Sequence, residues 1–365
     1  MALIGPPLGG QTGPLGEQAS PLRGAPSYLP HHHLLVCLQD EATIAVLDME
    51  SLEVLGSIRL EELGFSGGAM PHHIAVLPDG TGWFVSLIGE NRILHFDATH
   101  RLVRSWETPT PGMLALTPDG ATLVASRSMG AVNPPRAISL LRLDPLAPGA
   151  GTLEELEVIF PRPHAILTDV GGAYAYTASL GLNQVAVVDL HTERVALLDV
   201  PGETHALVQF DRSPDGSLLV AGGELSGSLL VFSLEDPAAP SLLRSIPLGD
   251  QPFDPRFSPD GRTLWVPLKG SDEVVVLDTA DWEVLARVTD PDIRQPHALV
   301  FSPDGERVFL SNNAKDPHAM HHPGGGGGEV GSLVVVDTRT LSITATLPLG
   351  RNLTGMAARP PIGPP

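Results

Sequence analysis

The chain has 365 residues, 42% of them hydrophobic, enough to bury a large core in one domain. Its formal net charge of −20, with 22 basic residues, works against nucleic-acid and anionic-membrane partners, which need clustered Lys and Arg, and leaves a cationic ligand or metal as the more natural partner. No run of about 18 apolar residues exists to span a membrane, and the single Cys37 excludes an internal disulfide framework.

Residues 1–33 read as a flexible Pro/Gly-rich leader. They show neither a basic n-region nor a sustained apolar h-region, so the expected compartment is cytoplasmic for the chain as written, and periplasmic or secreted if a signal peptide stands upstream. The run His31-His32-His33 is expected to be a solvated tail. Three strands follow, at Leu34–Leu38, Thr43–Leu47 and Val54–Ile58, with Cys37 as inert core. This unit lacks an innermost strand. The missing partner is predicted at the other end of the chain, where Leu353-Thr354-Gly355-Met356-Ala357-Ala358-Arg359-Pro360 matches the first strand of every later unit. Pairing there would close a ring and remove a sheet edge; residues 361–365 remain as a tail.

A second unit runs from Pro71 to about Trp106, and a third from Pro111 to Phe160 with a longer loop at Ser126–Pro135. The fourth opens at Pro163-His164-Ala165, the fifth at Thr204-His205-Ala206, the sixth at Pro252-Phe253-Asp254 and the seventh at Pro296-His297-Ala298. Within them a Pro-Asp-Gly turn recurs at 78–80, 118–120, 214–216, 259–261 and 303–305, and Val170-Gly171-Gly172 stands where one is missing. Pro presets φ in such a turn, Asp bonds its own backbone and Gly accepts positive φ. A period of forty-odd residues with several short strands per unit predicts an all-β, seven-bladed β-propeller over residues 34–360.

The third strands also repeat: Ile44-Ala45-Val46-Leu47-Asp48, Val185-Ala186-Val187-Val188-Asp189, Val274-Val275-Val276-Leu277-Asp278 and Leu333-Val334-Val335-Val336-Asp337. With the Ser-Pro-Asp-Gly turns, they make the chain similar to the YVTN-type propellers. That resemblance implies a fold and leaves function open, since such propellers host enzymes, binding modules and surface proteins.

Aligning the first strands puts His72, His164, His205 and His297 at one equivalent position, opposite Gly112, Phe253 and Thr354 in the other blades. His205 fits that position only with a small insertion around Phe210-Asp211-Arg212. First strands converge on the central channel, so these imidazoles are expected at its mouth, and neutral imidazole is the commonest ligand for transition metals. The expanded seventh-blade loop, Asn312–Gly331, adds His318, His321 and His322 ahead of five glycines, and it is expected on the same face as a mobile cover. His73 is expected on the other side of its strand, Asp254 and Arg256 as a structural bridge or channel lining, and His95, His100 and His191 at the surface.

Four histidines in a seven-bladed ring resemble the iron site of carotenoid-cleaving oxygenases, and are similar in outline to the copper-dependent nitrous-oxide reductases and the selenium-binding or methanethiol oxidase family. The resemblance covers the histidine positions only, and implies a metal-dependent oxidoreductase using Fe or Cu rather than Zn on a small-molecule substrate. Two alternatives stand beside it. One is a non-catalytic propeller that binds a ligand or protein, with the histidines as repeat-consensus residues; the other is a lactonase- or lyase-like propeller in which a histidine is a general base.

Overall fold

The computed structural model describes residues 31–127, 133–144, 147, 149–313 and 330–361. Seven four-stranded antiparallel sheets stand around one axis, each with its first strand innermost. Among the described residues, two 3-10 turns, Gln39–Glu41 and Leu60–Leu63, are the helical elements, and no helix is long and apolar enough to cross a membrane.

The strand pattern follows from burial. Third strands such as Glu273–Asp278 are apolar at every interior position and lie between neighbouring blades, so both faces are covered. Outermost strands such as Ser241–Pro247 have one face to water and alternate instead. Apolar side chains of adjacent blades interlock into clusters; Leu34, Val36 and Leu47 of the first blade pack with Phe309 and Val335 of the seventh.

The ring closes as the sequence predicts. Leu353–Arg359 pairs antiparallel with His33–Leu38 in the register Leu34↔Ala358, Leu35↔Ala357 and Val36↔Met356. The first blade is thus built from both ends of the chain, and no inner edge is left open.

The Pro-Asp-Gly turns do more than reverse the chain. Their glycines have φ of +70° to +75°. Each also rests on the first turn residue of the preceding blade: a Cβ on Gly80 would stand 2.8 Å from Pro360 Cγ, one on Gly261 3.2 Å from Pro214 Cδ, and one on Gly216 2.5 Å from Val170 Cγ2. In the fourth blade Asp169 takes over the Asx role, accepting from the Gly171 amide at 3.0 Å, while Gly172 supplies the positive φ of +70°.

At the other face each blade is entered through a non-glycine residue of positive φ: Met70, Thr110, Arg162, Ala206, Gln251, Gln295 and Asn352. Each of the first six stands eight positions before its turn's first residue, and Asn352 stands eight before Pro360, so the innermost segment has one length in all seven blades. The fifth blade therefore has no insertion. Counting from Ala206, the residue equivalent to His72, His164 and His297 is Val208, and His205 precedes the strand Leu207–Arg212.

Three other histidines are not where the sequence suggested. His33 opens the strand His33–Leu38 and is buried, as are His95 and His100. His95 stacks on Phe84 with ring centroids 4.4 Å apart. His100 Nδ1 accepts from Trp83 Nε1 at 3.1 Å, its Nε2 lies 3.4 Å from His33 Nδ1, and Arg359 of the closing strand donates to the same His33 nitrogen at 3.2 Å. Cys37 is buried, and burial alone pushes its thiol pKa far up, as expected of inert core. His191 is exposed.

Candidate functional site at the channel mouth

Three of the four aligned histidines come together. The ring centroids of His72 and His164 are 6.4 Å apart, and those of His72 and His297 are 6.5 Å apart. Each follows a proline at the first position of its strand, at Pro71, Pro163 and Pro296, where the ladder slips register before resuming. The closing strand reinforces this placement: a Cβ on Gly355 would stand 2.5 Å from the His72 carbonyl oxygen, so only glycine lets the two backbones approach.

Hydrogen bonding fixes the tautomer of one of these rings and anchors a second. His164 Nδ1 lies 2.6 Å from the Val208 carbonyl, which can only accept, so Nδ1 carries the proton. His72 Nδ1 lies 2.9 Å from Gln39 Oε1 and donates to it with the Gln39 amide turned oxygen-inward. With Nδ1 protonated, the lone pair of the neutral imidazole is on Nε2.

His205 stands apart. Its Nε2 donates to the Pro201 carbonyl at 3.0 Å, and its Nδ1 accepts from Ser226 Oγ at 2.9 Å. Both nitrogens are committed to bracing loops. His318, His321 and His322 lie outside the described residues.

A second ring of side chains surrounds the histidines, and no sequence motif marked it. In six of the seven blades the residue just past the second strand sends its amide to the carbonyl of the positive-φ residue beside it: Gln39 to Asn352, Ile88 to Met70, Leu180 to Arg162, Glu224 to Ala206, Lys269 to Gln251 and Asn313 to Gln295. One backbone geometry thus places six unlike side chains around the mouth. Glu224 is buried and its Oε1 accepts no hydrogen bond among the described residues. Burial raises its carboxyl pKa, with Lys269 and then Arg162 acting in the opposite sense. Lys269 Nζ sits 4.6 Å from the ring centre of Phe253, whose ring is 4.5 Å from that of His297.

Below the mouth lies a polar floor. The register slip turns His73 toward the axis rather than to the other side of its strand, and its Nε2 meets the Gln209 amide 3.4 Å away, from three blades around the ring. His73 Nδ1 accepts from the Leu114 amide at 3.2 Å, so Nε2 carries the hydrogen and Gln209 must present its oxygen. Desolvation holds the His73 pKa down at about 3, with Arg256 and His164 adding to the effect. Arg256 bridges two carboxylates, the buried Asp254 at 3.1 Å and the partly buried Asp211 at 3.4 Å. The expected Asp254–Arg256 bridge is present, with Asp211 as an additional member. Desolvation raises the Asp254 pKa to about 6 against the opposing pull of Arg256.

The histidines fit a shared metal only with movement. Two imidazoles bound tetrahedrally to one ion at about 2.1 Å have ring centroids roughly 5.2 Å apart; the observed separations of 6.4 and 6.5 Å are about an ångström wider. Among the described residues no group of three His, Cys, Asp or Glu side chains is arranged to hold an ion.

No family model matches the chain, and no curated protein matches it. Solved propellers do. A functionally unknown protein from Desulfotomaculum acetoxidans is 15% identical, with a TM-score of 0.68 over 90% of this chain and 99% of its own. The periplasmic gluconolactonase of Pseudomonas aeruginosa is 19% identical, with a TM-score of 0.68 over the same shares. Kuenenia stuttgartiensis hydrazine synthase is 18% identical, with a TM-score of 0.61 over 78% of this chain and 88% of its own. At these identities the likeness is one of fold.

Proposed function

We propose that the channel mouth hydrolyses a cyclic ester, as a lactonase-like propeller. The observation that carries this reading is that one face of the ring holds both imidazoles anchored through Nδ1 and a buried carboxyl group without a hydrogen-bond partner among the described residues. His72 and His164 hold their Nδ1 protons on oxygen acceptors and offer Nε2 as base, while burial favours the protonated form of Glu224. An imidazole Nε2 takes a proton from water, and the hydroxide adds to the lactone carbonyl. As the ring C–O bond breaks, the Glu224 carboxyl gives its proton to the leaving alkoxide, and the imidazolium then loses its proton to solvent while the carboxylate regains one from it. Lys269 and Arg162 supply positive charge for the oxyanion. The gluconolactonase among the similar structures fits this reading without establishing it.

The test is hydrolysis of a lactone panel, followed by proton release, with His164→Gln and Glu224→Gln alongside the native chain. Loss of a general acid or base should cost about 10²–10⁴-fold in kcat. Failure of the native protein to open any lactone overturns the proposal.

A second reading, favoured by the same tautomers, makes His72, His164 and His297 ligands of Fe or Cu, because a ligating imidazole ordinarily donates its other N–H to an oxygen. Such an ion would supply Lewis-acid or redox chemistry at the mouth. Elemental analysis of untagged protein separates the readings: stoichiometric iron or copper, lost in His297→Ala, supports the metal centre.

A further inference from the structure

Between the fourth and fifth blades the mouth carries an apolar shelf that the hydrolytic reading leaves unused. Leu182 is 45% exposed and Leu225 64% exposed, each at the tip of a tight loop following a second strand. Isolated surface leucines are ordinary; these two are joined by a polar scaffold. The Asn183 side chain accepts from the His205 amide at 2.9 Å and donates to the carbonyls of Gly202 and Glu203. The His205 carbonyl in turn accepts from the Leu225 amide at 2.9 Å. The His205 ring then ties Ser226 to Pro201. Both leucine loops are thus tied to the 201–205 connection that lies between them in the chain, and this bracing is the role the fold gives His205.

The shelf adjoins the proposed hydrolytic site along the chain. Glu224, whose buried Oε1 has no hydrogen-bond partner among the described residues, immediately precedes Leu225. Lys269 and Arg162 act on it from the flanking blades. A ligand whose oxygen-bearing head reaches Glu224 brings what is attached to that head beside the loop that carries Leu225.

We infer that the substrate is amphiphilic: a lactone carrying an alkyl tail, with the ring at Glu224 and the tail along Leu182 and Leu225. This rests on the hydrolytic reading for the identity of the head group, and the bracing of the shelf is independent of it. The product is a hydroxy acid with the same tail, its carboxylate facing Lys269 and Arg162.

The experiment measures kcat/KM for a series of δ-lactones from the unsubstituted ring to one with a five-carbon tail. In parallel, calorimetry measures Kd for the matching ring-opened hydroxy acids, which requires no turnover. Methylenes lying one face down on leucine should improve kcat/KM and Kd by roughly ten- to thirtyfold across the series. Leu225→Ser should flatten the series, and Leu243→Ser, at a 54% exposed leucine on an outer strand, should leave its slope intact. Tail-dependent binding of hydroxy acids without hydrolysis of any lactone removes the enzymatic reading and keeps the shelf. Hydrolysis or binding that is indifferent to tail length, absence of hydroxy-acid binding, or a slope that survives Leu225→Ser, overturns the shelf.

Discussion

Gly216→Ala isolates the packing of one blade's turn on the next. The substitution carries two penalties. The residue has φ of +75°, and an L side chain in the left-handed region costs roughly 1–2 kcal/mol. The new Cβ would also meet Val170, at 2.5 Å from Cγ2, 2.7 Å from Cγ1 and 3.1 Å from Cβ. Both methyl carbons and the branch point are within reach, so rotating a stiff β-branched side chain exchanges one clash for another. Overpacking of this kind typically costs about 1–3 kcal/mol. Together the two penalties come to about 2–5 kcal/mol. Gly64→Ala is the matched control, because Gly64 has φ of +89° with nothing within 4 Å of an added methyl, and it should show the backbone cost alone. Gly181→Ala, with open space and no positive φ, should be close to neutral. Urea unfolding of the three variants beside the native chain reads the differences at constant m. Val170→Ala in the Gly216→Ala background should recover part of the loss. Equal destabilisation in Gly216→Ala and Gly64→Ala, or no recovery in the double variant, refutes the idea that turn-to-turn contact around the ring stabilises the fold.

Acid should loosen the seam where the ring closes. Burial, with Arg359 second among the causes, holds His33 down at about 4 and His100 at about 3, against an ordinary value of 6.5. His31, His32 and Asp48 also act on His33, the last in the opposite sense. Both rings stay neutral in the fold and take up protons first in the unfolded chain, so their contribution is fully present above pH 6.5 and is lost as pH falls toward 4 and below. Urea midpoints measured from about pH 8 to 4 should drop through this window, and His33→Gln should shallow the drop; an unchanged slope would argue against this assignment. Deleting residues 353–365 should expose the inner edge of the strand His33–Leu38 and turn the closed ring into an aggregating species, read by light scattering. Asp254→Asn should remove a carboxyl whose folded pKa lies above its unfolded one, and with it a stability loss on raising pH from about 4 to 6; pH-dependent unfolding of the variant checks this.

The architecture was legible in the sequence because each turn repeats a physical requirement: preset φ, an Asx bond and positive φ. Closure was legible for the same reason, as the last segment repeats the first-strand pattern without a turn of its own in the described chain. The misplacement of His205 has a specific origin. Thr204-His205-Ala206 imitates Pro-His-Ala, but His72, His164 and His297 each stand six residues before the first turn residue and His205 stands nine before Pro214, a spacing readable in the sequence. The second ring of Gln39, Glu224 and Lys269 was not legible, because those residues share a backbone position and no side-chain chemistry. Nor was the burial of His33 and His100, whose partner Arg359 arrives from the opposite end of the chain.

The most direct test of a mouth built for ester hydrolysis is the paired kinetics of His72→Gln and Glu224→Gln on whichever lactone the native chain opens fastest, with His191→Gln, on an exposed turn, as reference. The account predicts a loss of about 10²-fold or more in kcat for the first two, with native unfolding midpoints, and none for the third. Full activity in Glu224→Gln, or equal losses in all three, would contradict it.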